Sequence, residues 1–206
     1  MGYRHDIFVS YKRDPETLFW IDNHFHPLLK ITVSQWLQRD PDIYIHEITD
    51  NIQVGTAWPV ELGEEIAASR VLIALWSGNY MASRWCAKEL CVMLAREREA
   101  KCRTVENKYG LVIPVIVHDG ENVGTIVGNV QKLNIQPCFN TRMRKDSPRA
   151  EELFEKLRDH AEGISNAILH APTWKQEWPT QSAEELMDTY LQPDPQQAGR
   201  PRFAAA

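Results

Sequence analysis

Val71-Leu72-Ile73-Ala74-Leu75-Trp76 is the stretch on which the fold turns. Six apolar residues in succession, closed by Ser77-Gly78, leave no polar face. The strand they predict is therefore buried on both sides, as a central strand of a parallel sheet is. Just upstream, Pro59 opens a predicted helix through Ser69, with Val60, Leu62 and Ile66 as its inner face. Just downstream, Ser77-Gly78-Asn79-Tyr80 reads as a turn, and Ser83 is placed to cap a helix from Arg84 to about Lys101.

Further out, strands and helices keep alternating. Asp6-Ile7-Phe8-Val9-Ser10-Tyr11 predicts a buried strand, followed by Asp14 as N-cap and Pro15 as first helical residue. Leu18, Ile21, Phe25, Leu28, Leu29, Val33, Trp36 and Leu37 recur at helical spacing, and Pro27 among them predicts a kink or two abutting helices. Ile43-Tyr44-Ile45 is a second short strand, and Glu47 to Trp58, holding Asp50, Asn51 and Gly55, is a loop. Leu111 to Val117 is another buried strand, in which Pro114 points to an edge position or a bulge. Leu133 to Phe139 reads as a last short strand and Pro148 to His170 as a helix. This series predicts an α/β fold, a doubly wound parallel sheet with helices on both faces. Ligands of such sheets bind beyond the carboxyl ends of the strands, here Ser10 to Asp14, Glu47 to Trp58, Ser77 to Arg84 and His118 to Gly128.

The chain has 206 residues and a formal net charge of −5, an acidic balance that argues against nonspecific nucleic-acid binding. No apolar run approaches the length of a membrane-spanning helix. Of the four cysteines, Cys86, Cys91 and Cys102 fall on one predicted helix and Cys138 stands apart. No CxxC pair exists, so free thiols in a reducing cytosol are the simplest account. From Ala171 onward the composition changes: Pro172, Pro179, Pro193, Pro195 and Pro201 crowd the last stretch. Trp174 and Trp178 suggest that its first part packs on the domain, and Gln192 to Ala206 reads as disordered.

Most familiar chemistries lack their anchor. His24 and His26 are two apart, which on a helix sends them in opposite directions, and no Cys, His or Asp cluster supports a metal. His46, His118, His160 and His170 are similarly isolated. There is no GxxxxGK[ST] loop and no GxGxxG after a strand, and Gly120, Gly124 and Gly128 have the wrong spacing for one. The G-x-S-x-G elbow of hydrolases is missing too. What stands out is Ser83-Arg84-Trp85-Cys86-Ala87-Lys88-Glu89-Leu90. Trp85 and Glu89 are four apart, so a helix stacks them on one face, just beyond the central strand. A carboxylate beside an indole in a partly apolar cleft is a combination that raises a pKa or orients the group for catalysis. The same spacing also suits a core indole beside a solvent-paired glutamate.

Several segments together resemble one family. Asp6 to Tyr11 is similar to the first box of Toll/interleukin-1 receptor (TIR) domains, and Ile52-Gln53-Val54-Gly55-Thr56-Ala57-Trp58 to the loop after their second strand. Ser69 to Tyr80 followed by Ser83 to Leu90 resembles the family's most recognisable stretch, and Ile113-Pro114-Val115 its fourth strand. The ordered set covers about residues 3 to 165, in the style of stand-alone prokaryotic TIR proteins. The resemblance implies a flavodoxin-like sheet of four to five strands, with a TIR domain over 1–170 and a C-terminal extension over 171–206. It also implies an activity. Enzymatic TIR domains cleave NAD⁺ at the nicotinamide–ribose bond using a glutamate in the helix after the third strand, and Glu89 is the matching position.

The expected function is thus that of an NAD⁺ glycohydrolase, or an enzyme akin to an ADP-ribosyl cyclase, with NAD⁺ as substrate and no separate cofactor. Glu89 is the expected catalytic residue; Ser10, Tyr11, Lys12, Arg13, Trp58, Ser83 and Trp85 are the expected substrate-binding residues. Tyr11, Trp58 and Trp85 are candidate aromatic walls, and Lys12 and Arg13 candidates for the pyrophosphate. Ser83 is also simply an N-cap, and Cys86 equally a small core residue or a reactive thiol. The resemblance further implies a cytoplasmic protein of antiviral defence that self-associates through TIR–TIR contacts and either depletes NAD⁺ or makes an ADP-ribose-derived signal for a separate effector. Neither nucleic acid nor membrane is an expected partner. Scaffolding TIR domains, which act through homotypic assembly without catalysis, are the alternative. A flavodoxin-like phosphoacceptor or flavin protein is a third reading, weakened because Asp14 is alone at the strand ends.

Overall fold

The computed structural model describes residues 2–46, 60–118, 131–178 and 187. Five strands form one parallel sheet: β1 (His5–Ser10), β2 (Ile43–Ile45), β3 (Ser69–Trp76), β4 (Val112–Ile116) and β5 (Leu133–Asn134), in spatial order β2-β1-β3-β4-β5. Helices α1 (Pro15–Trp20), α2 (His26–Leu37), α3 (Val60–Ala67), α4 (Gly78–Ala82), α5 (Arg84–Glu99) and α6 (Pro148–Leu169) connect and cover the strands. The sheet order reverses between β1 and β3, the switch point at which doubly wound sheets open a crevice.

The central strand behaves as its composition dictates. Val71, Ile73 and Leu75 of β3 point into a core shared with α1, α2 and α6, whereas Leu72, Ala74 and Trp76 point into a second core beneath α3 and α5. Period-two alternation in a strand that is apolar at every position from Val71 to Trp76 thus feeds two hydrophobic layers at once. In β1, Phe8 joins the second core while Ile7 and Val9 join the first. Ser10 pairs with Ala74 at the carboxyl end of the same rung ladder.

Local chemistry sets most element boundaries. Asp14 caps α1, its side chain accepting hydrogen bonds from the backbone N–H of Thr17 at 2.8 Å and the Thr17 hydroxyl at 2.7 Å. Ser147 caps α6 ahead of Pro148 at the first turn. The break expected at Pro27 takes the form of a π-helical turn, Ile21–Phe25, that joins α1 to α2. Its wider i to i−5 bonding seats Ile21, His24 and Phe25 inward together.

Several expectations need correction. Ser77 to Tyr80 is not an open turn: Ser77 caps the short helix α4, accepting from the backbone N–H of Tyr80 at 3.0 Å. The helix through Ser69 ends at Ala67, and Ser69 already starts β3, with its hydroxyl donating to the Glu65 carbonyl. Cys102 lies beyond the end of α5, past Lys101 in the left-handed region (φ 50°). The last strand is only Leu133–Asn134, followed by a 3₁₀ turn, Gln136–Cys138.

Pro114 is a subtler case. β4 is an internal strand, paired with β3 on one side and β5 on the other. The Ile116 carbonyl accepts from Ile135 N–H on the β5 side, so Pro114, two residues back, turns its missing N–H to that same side. Pairing with β5 begins only at Val115, and no ladder bond is lost.

The stretch after α6 runs back over the amino-terminal end of the sheet. The Tyr3 hydroxyl donates to the Pro172 carbonyl at 2.6 Å, and the buried Trp178 ring lies 4.8 Å from the Arg96 guanidinium. Residues 192–206, expected to be disordered, lie outside the described residues. Among the described residues no helix is long and apolar enough to cross a membrane.

Candidate functional site

α5 begins beside the carboxyl ends of β1 and β3. Ser83 caps it, its hydroxyl oxygen accepting from the Cys86 N–H at 3.5 Å. The first two turns carry Trp85 on the rim and Glu89 inward, while Cys86 and Leu90 enter the core. Glu89 is only 2% exposed. Its carboxylate accepts from the Ser10 hydroxyl at 2.5 Å and from Arg13 Nη2 at 2.7 Å. The Arg13 guanidinium lies 5.0 Å from the centre of the Trp85 ring, within cation–π range.

Behind Ser10 stands Tyr80, hydroxyl to hydroxyl at 2.9 Å and fully buried. With the Ser10 proton given to Glu89, Tyr80 is the donor, so the bonds run Tyr80 to Ser10 to Glu89. Burial pushes the Glu89 carboxyl above its ordinary range, against the pull of Arg13 and the Ser10 hydrogen bond. Burial and the neighbouring Glu89 charge push the Cys86 thiol up to about 12. Cys86 is therefore a protonated core group, its Sγ 3.4 Å from the Tyr11 carbonyl oxygen, and not a nucleophile.

Of the residues singled out in the sequence, the structure gathers Ser10, Arg13, Trp85 and Glu89. Tyr11 goes elsewhere: it packs in the opposite core and its hydroxyl donates to the His46 carbonyl at 2.8 Å. Lys12 parts from Arg13 and lines a separate cavity of about 220 Å³ with Asp14, Thr17, Ser77 and Asn79. Ser83 serves as the helix cap. Trp58, with Asp50 and Gly55, lies outside the described residues. Among the described residues no group of three or more His, Cys, Asp or Glu is arranged to hold a metal ion.

Two neighbours escaped the sequence reading. Tyr80 looked like a turn residue, yet α4 delivers its hydroxyl to Ser10. His46 looked isolated, but it sits one rung past the Val9–Ile45 pair, alongside Ser10 at the carboxyl end of the sheet. Its Nδ1 is 3.2 Å from the Tyr44 hydroxyl, and its Nε2 is buried without a hydrogen-bond partner among the described residues. Burial and the nearby Arg13 charge lower its pKa, keeping the ring neutral at pH 7. Alternation along β2 and the register to β1 are the signals that would have found it.

The geometry can be set beside known proteins. The model of the TIR domain family matches residues 7–142, a span holding Ser10, Arg13, Tyr80, Trp85 and Glu89. No curated protein matches the chain. Among solved structures, the chain is similar to the TIR domains in the structure of the activated Roq1 resistosome directly recognizing the pathogen effector XopQ. That likeness has 16% sequence identity, covers 91% of this chain and 97% of that one, and has a TM-score of 0.35. By the family model, which spans well over half its length, this chain belongs to the TIR domain family.

Proposed function

We propose that the chain is an NAD⁺ nucleosidase, with Glu89 as its catalytic carboxylate. The observation that carries this reading is the state of that carboxylate. It is buried at the carboxyl edge of the sheet beside an indole, yet held only by two side-chain donors, Ser10 and Arg13, among the described residues. Nicotinamide in NAD⁺ is a cationic pyridinium and leaves as a neutral molecule, so its departure needs no general acid. The C1′–N1 bond breaks with its electron pair passing to the ring nitrogen, and the ribose becomes oxocarbenium-like. A single carboxylate in a water-poor site stabilises that charge. Water then adds to C1′ and loses a proton, giving ADP-ribose; attack by another nucleophile of the same molecule gives a cyclic product.

In this reading Glu89 faces the ribose, Ser10 and Tyr80 orient the carboxylate, and Trp85 offers the nicotinamide a flat apolar wall. Residues 1–170 form the TIR domain and 171–206 an extension. The family resemblance alone extends the reading to a stand-alone prokaryotic protein of the cytoplasm that acts in antiviral defence. There it would self-associate through TIR–TIR contacts and either deplete NAD⁺ or make an ADP-ribose-derived signal for a separate effector.

The test is to incubate the purified protein with NAD⁺ over a wide range of protein concentrations and follow nicotinamide by chromatography. Release by the wild type, reduced on the order of 10²–10³-fold in Glu89→Gln, supports the assignment. No release at any concentration would overturn the activity and leave the scaffolding role of the family. Equal release from the variant would overturn the site.

A further inference from the structure

The site around Glu89 is already filled. Arg13 places a guanidinium against the carboxylate at 2.7 Å and over the Trp85 ring at 5.0 Å, with its own side chain only 18% exposed. A guanidinium is a flat, delocalised group of unit positive charge that stacks readily on aromatic faces. A pyridinium is the same in each of these respects. We propose that Ser10, Trp85 and Glu89 form a binding site for a planar organic cation, occupied at rest by the chain's own Arg13 and taken over by a pyridinium ligand that displaces it. The choice of a pyridinium rests on the NAD⁺ reading above; the cation site itself rests on geometry.

Three features separate this contact from an ordinary structural ion pair. First, it is single-pronged. Among the described residues Arg13 makes one hydrogen bond, to Glu89, whereas Arg39 grips Asp6 with two nitrogens and Arg103 grips Glu97 with two. A bidentate fork is the strong and geometrically fixed arrangement, and Arg13 lacks it. Second, the backbone on either side of Arg13 is anchored. Ser10 ends β1 in register with Ala74, and Asp14 is bonded to Thr17 as the cap of α1. The guanidinium can therefore leave by rotating its own side chain, with no rearrangement of the loop. Third, the exchange preserves charge. A buried carboxylate left without a cation is costly, so one cation must arrive as the other departs.

The same balance gives the site a direction. Once the glycosidic bond breaks, the ring is neutral nicotinamide and no longer compensates Glu89. After water has quenched the ribosyl cation, the carboxylate again lacks a partner, and the return of Arg13 supplies one while expelling the product. Arg13 thus competes with the substrate cation at the start of the cycle and helps clear the site at its end. Arg13, expected from the sequence to meet the pyrophosphate, lies on the carboxylate in the structure.

The probe is 1-methylnicotinamide, a planar pyridinium with no glycosidic bond to cleave, titrated calorimetrically into the full chain. An occupant that fills the site nine-tenths of the time weakens the apparent affinity about tenfold, so Arg13→Gln should tighten binding by about that factor. Adding Trp85→Ala to Arg13→Gln should abolish the gain, and neutral nicotinamide should show none. Methylguanidinium should compete with the probe in Arg13→Gln and not bind detectably to the wild type. Unchanged or weaker binding of the cation by Arg13→Gln would overturn the proposal, as would an equal gain for neutral nicotinamide. If Arg13→Gln does not fold, Arg13→Lys, which keeps the charge but loses the flat face, replaces it: a smaller gain supports the proposal and no gain overturns it. Because the probe cannot turn over, the two readings fail separately. A cation gain without nicotinamide release from NAD⁺ removes the enzyme and leaves the site. Release without a cation gain removes the resting occupant and leaves the enzyme.

Discussion

α5 carries two buried glutamates two turns apart, Glu89 and Glu97, and they live in opposite circumstances. Glu97 is saturated. One oxygen accepts from the backbone N–H groups of Leu111 (2.6 Å) and Val112 (2.7 Å) and from Arg103 Nη2 (2.9 Å), and the other accepts from Arg103 Nε (2.9 Å). Among the described residues Glu89 has two donors, both on side chains that can rotate. An ionised carboxylate offers about four acceptor sites, so Glu97 is fully engaged and Glu89 about half engaged. Burial does not distinguish them. What does is whether the donors belong to the backbone, which can leave only by undoing the start of β4, or to side chains, which can yield to a ligand.

Breaking each carboxylate in turn should produce opposite phenotypes. Glu97→Ala strips Arg103 and two backbone N–H groups of their acceptor and should cost about 3–5 kcal/mol of stability, read by urea denaturation. Nicotinamide release per folded molecule should persist. Glu89→Gln should do the reverse: activity falls on the order of 10²–10³-fold, about 2.7–4 kcal/mol in the barrier, while the urea midpoint does not fall. If both variants lose stability and neither loses activity alone, the distinction collapses.

Glu89 also makes stability depend on pH. Because burial raises the Glu89 pKa, the folded state holds that proton more tightly than the unfolded chain does. Its stabilising contribution is complete below the ordinary glutamate range and is lost as the pH rises through the raised folded value. The stability of Glu89→Gln relative to wild type should therefore increase across that window, measured as the difference in urea midpoints between acidic and neutral pH. Activity, which needs the carboxylate, should rise across the same window. The smallest effect is expected of Tyr80→Phe. Removing the donor behind Ser10 should lower kcat by about 0.5–1.5 kcal/mol in the barrier with KM little changed.

Much of this was written in local sequence. Val71 to Trp76 is apolar at every position, so its place at the centre of a two-cored sheet follows without tertiary information. Asp14-Pro15 and Ser83 mark helix starts because capping involves only residues a few positions apart. The Trp85–Glu89 spacing places both groups on one side of α5 for the same reason. The contact between Arg13 and Glu89 was hidden, since it depends on how a four-residue loop leaves β1 and on where α5 lands. Tyr80 and His46 were hidden too, because each joins the site through strand register or a short helix that local pattern did not disclose. The π-helical turn shows the same limit. Pro27 announces a break, but which hydrogen-bond spacing fills it is decided by the packing of Ile21, His24 and Phe25.

The Glu97–Arg103 pair has one more consequence, for the border of the sheet. On the side of β4 that faces β5, the Val112 N–H is held by Glu97 and its carbonyl by Arg103, and Pro114 has no N–H to offer. Beyond the short reach of β5, this margin has almost nothing with which to template a further strand. Exposed strand edges invite growth into extended aggregates, and this one is sealed by a salt bridge and an imino acid. Another strand approaching this part of β4 would find its first backbone groups already taken by side chains of its own chain.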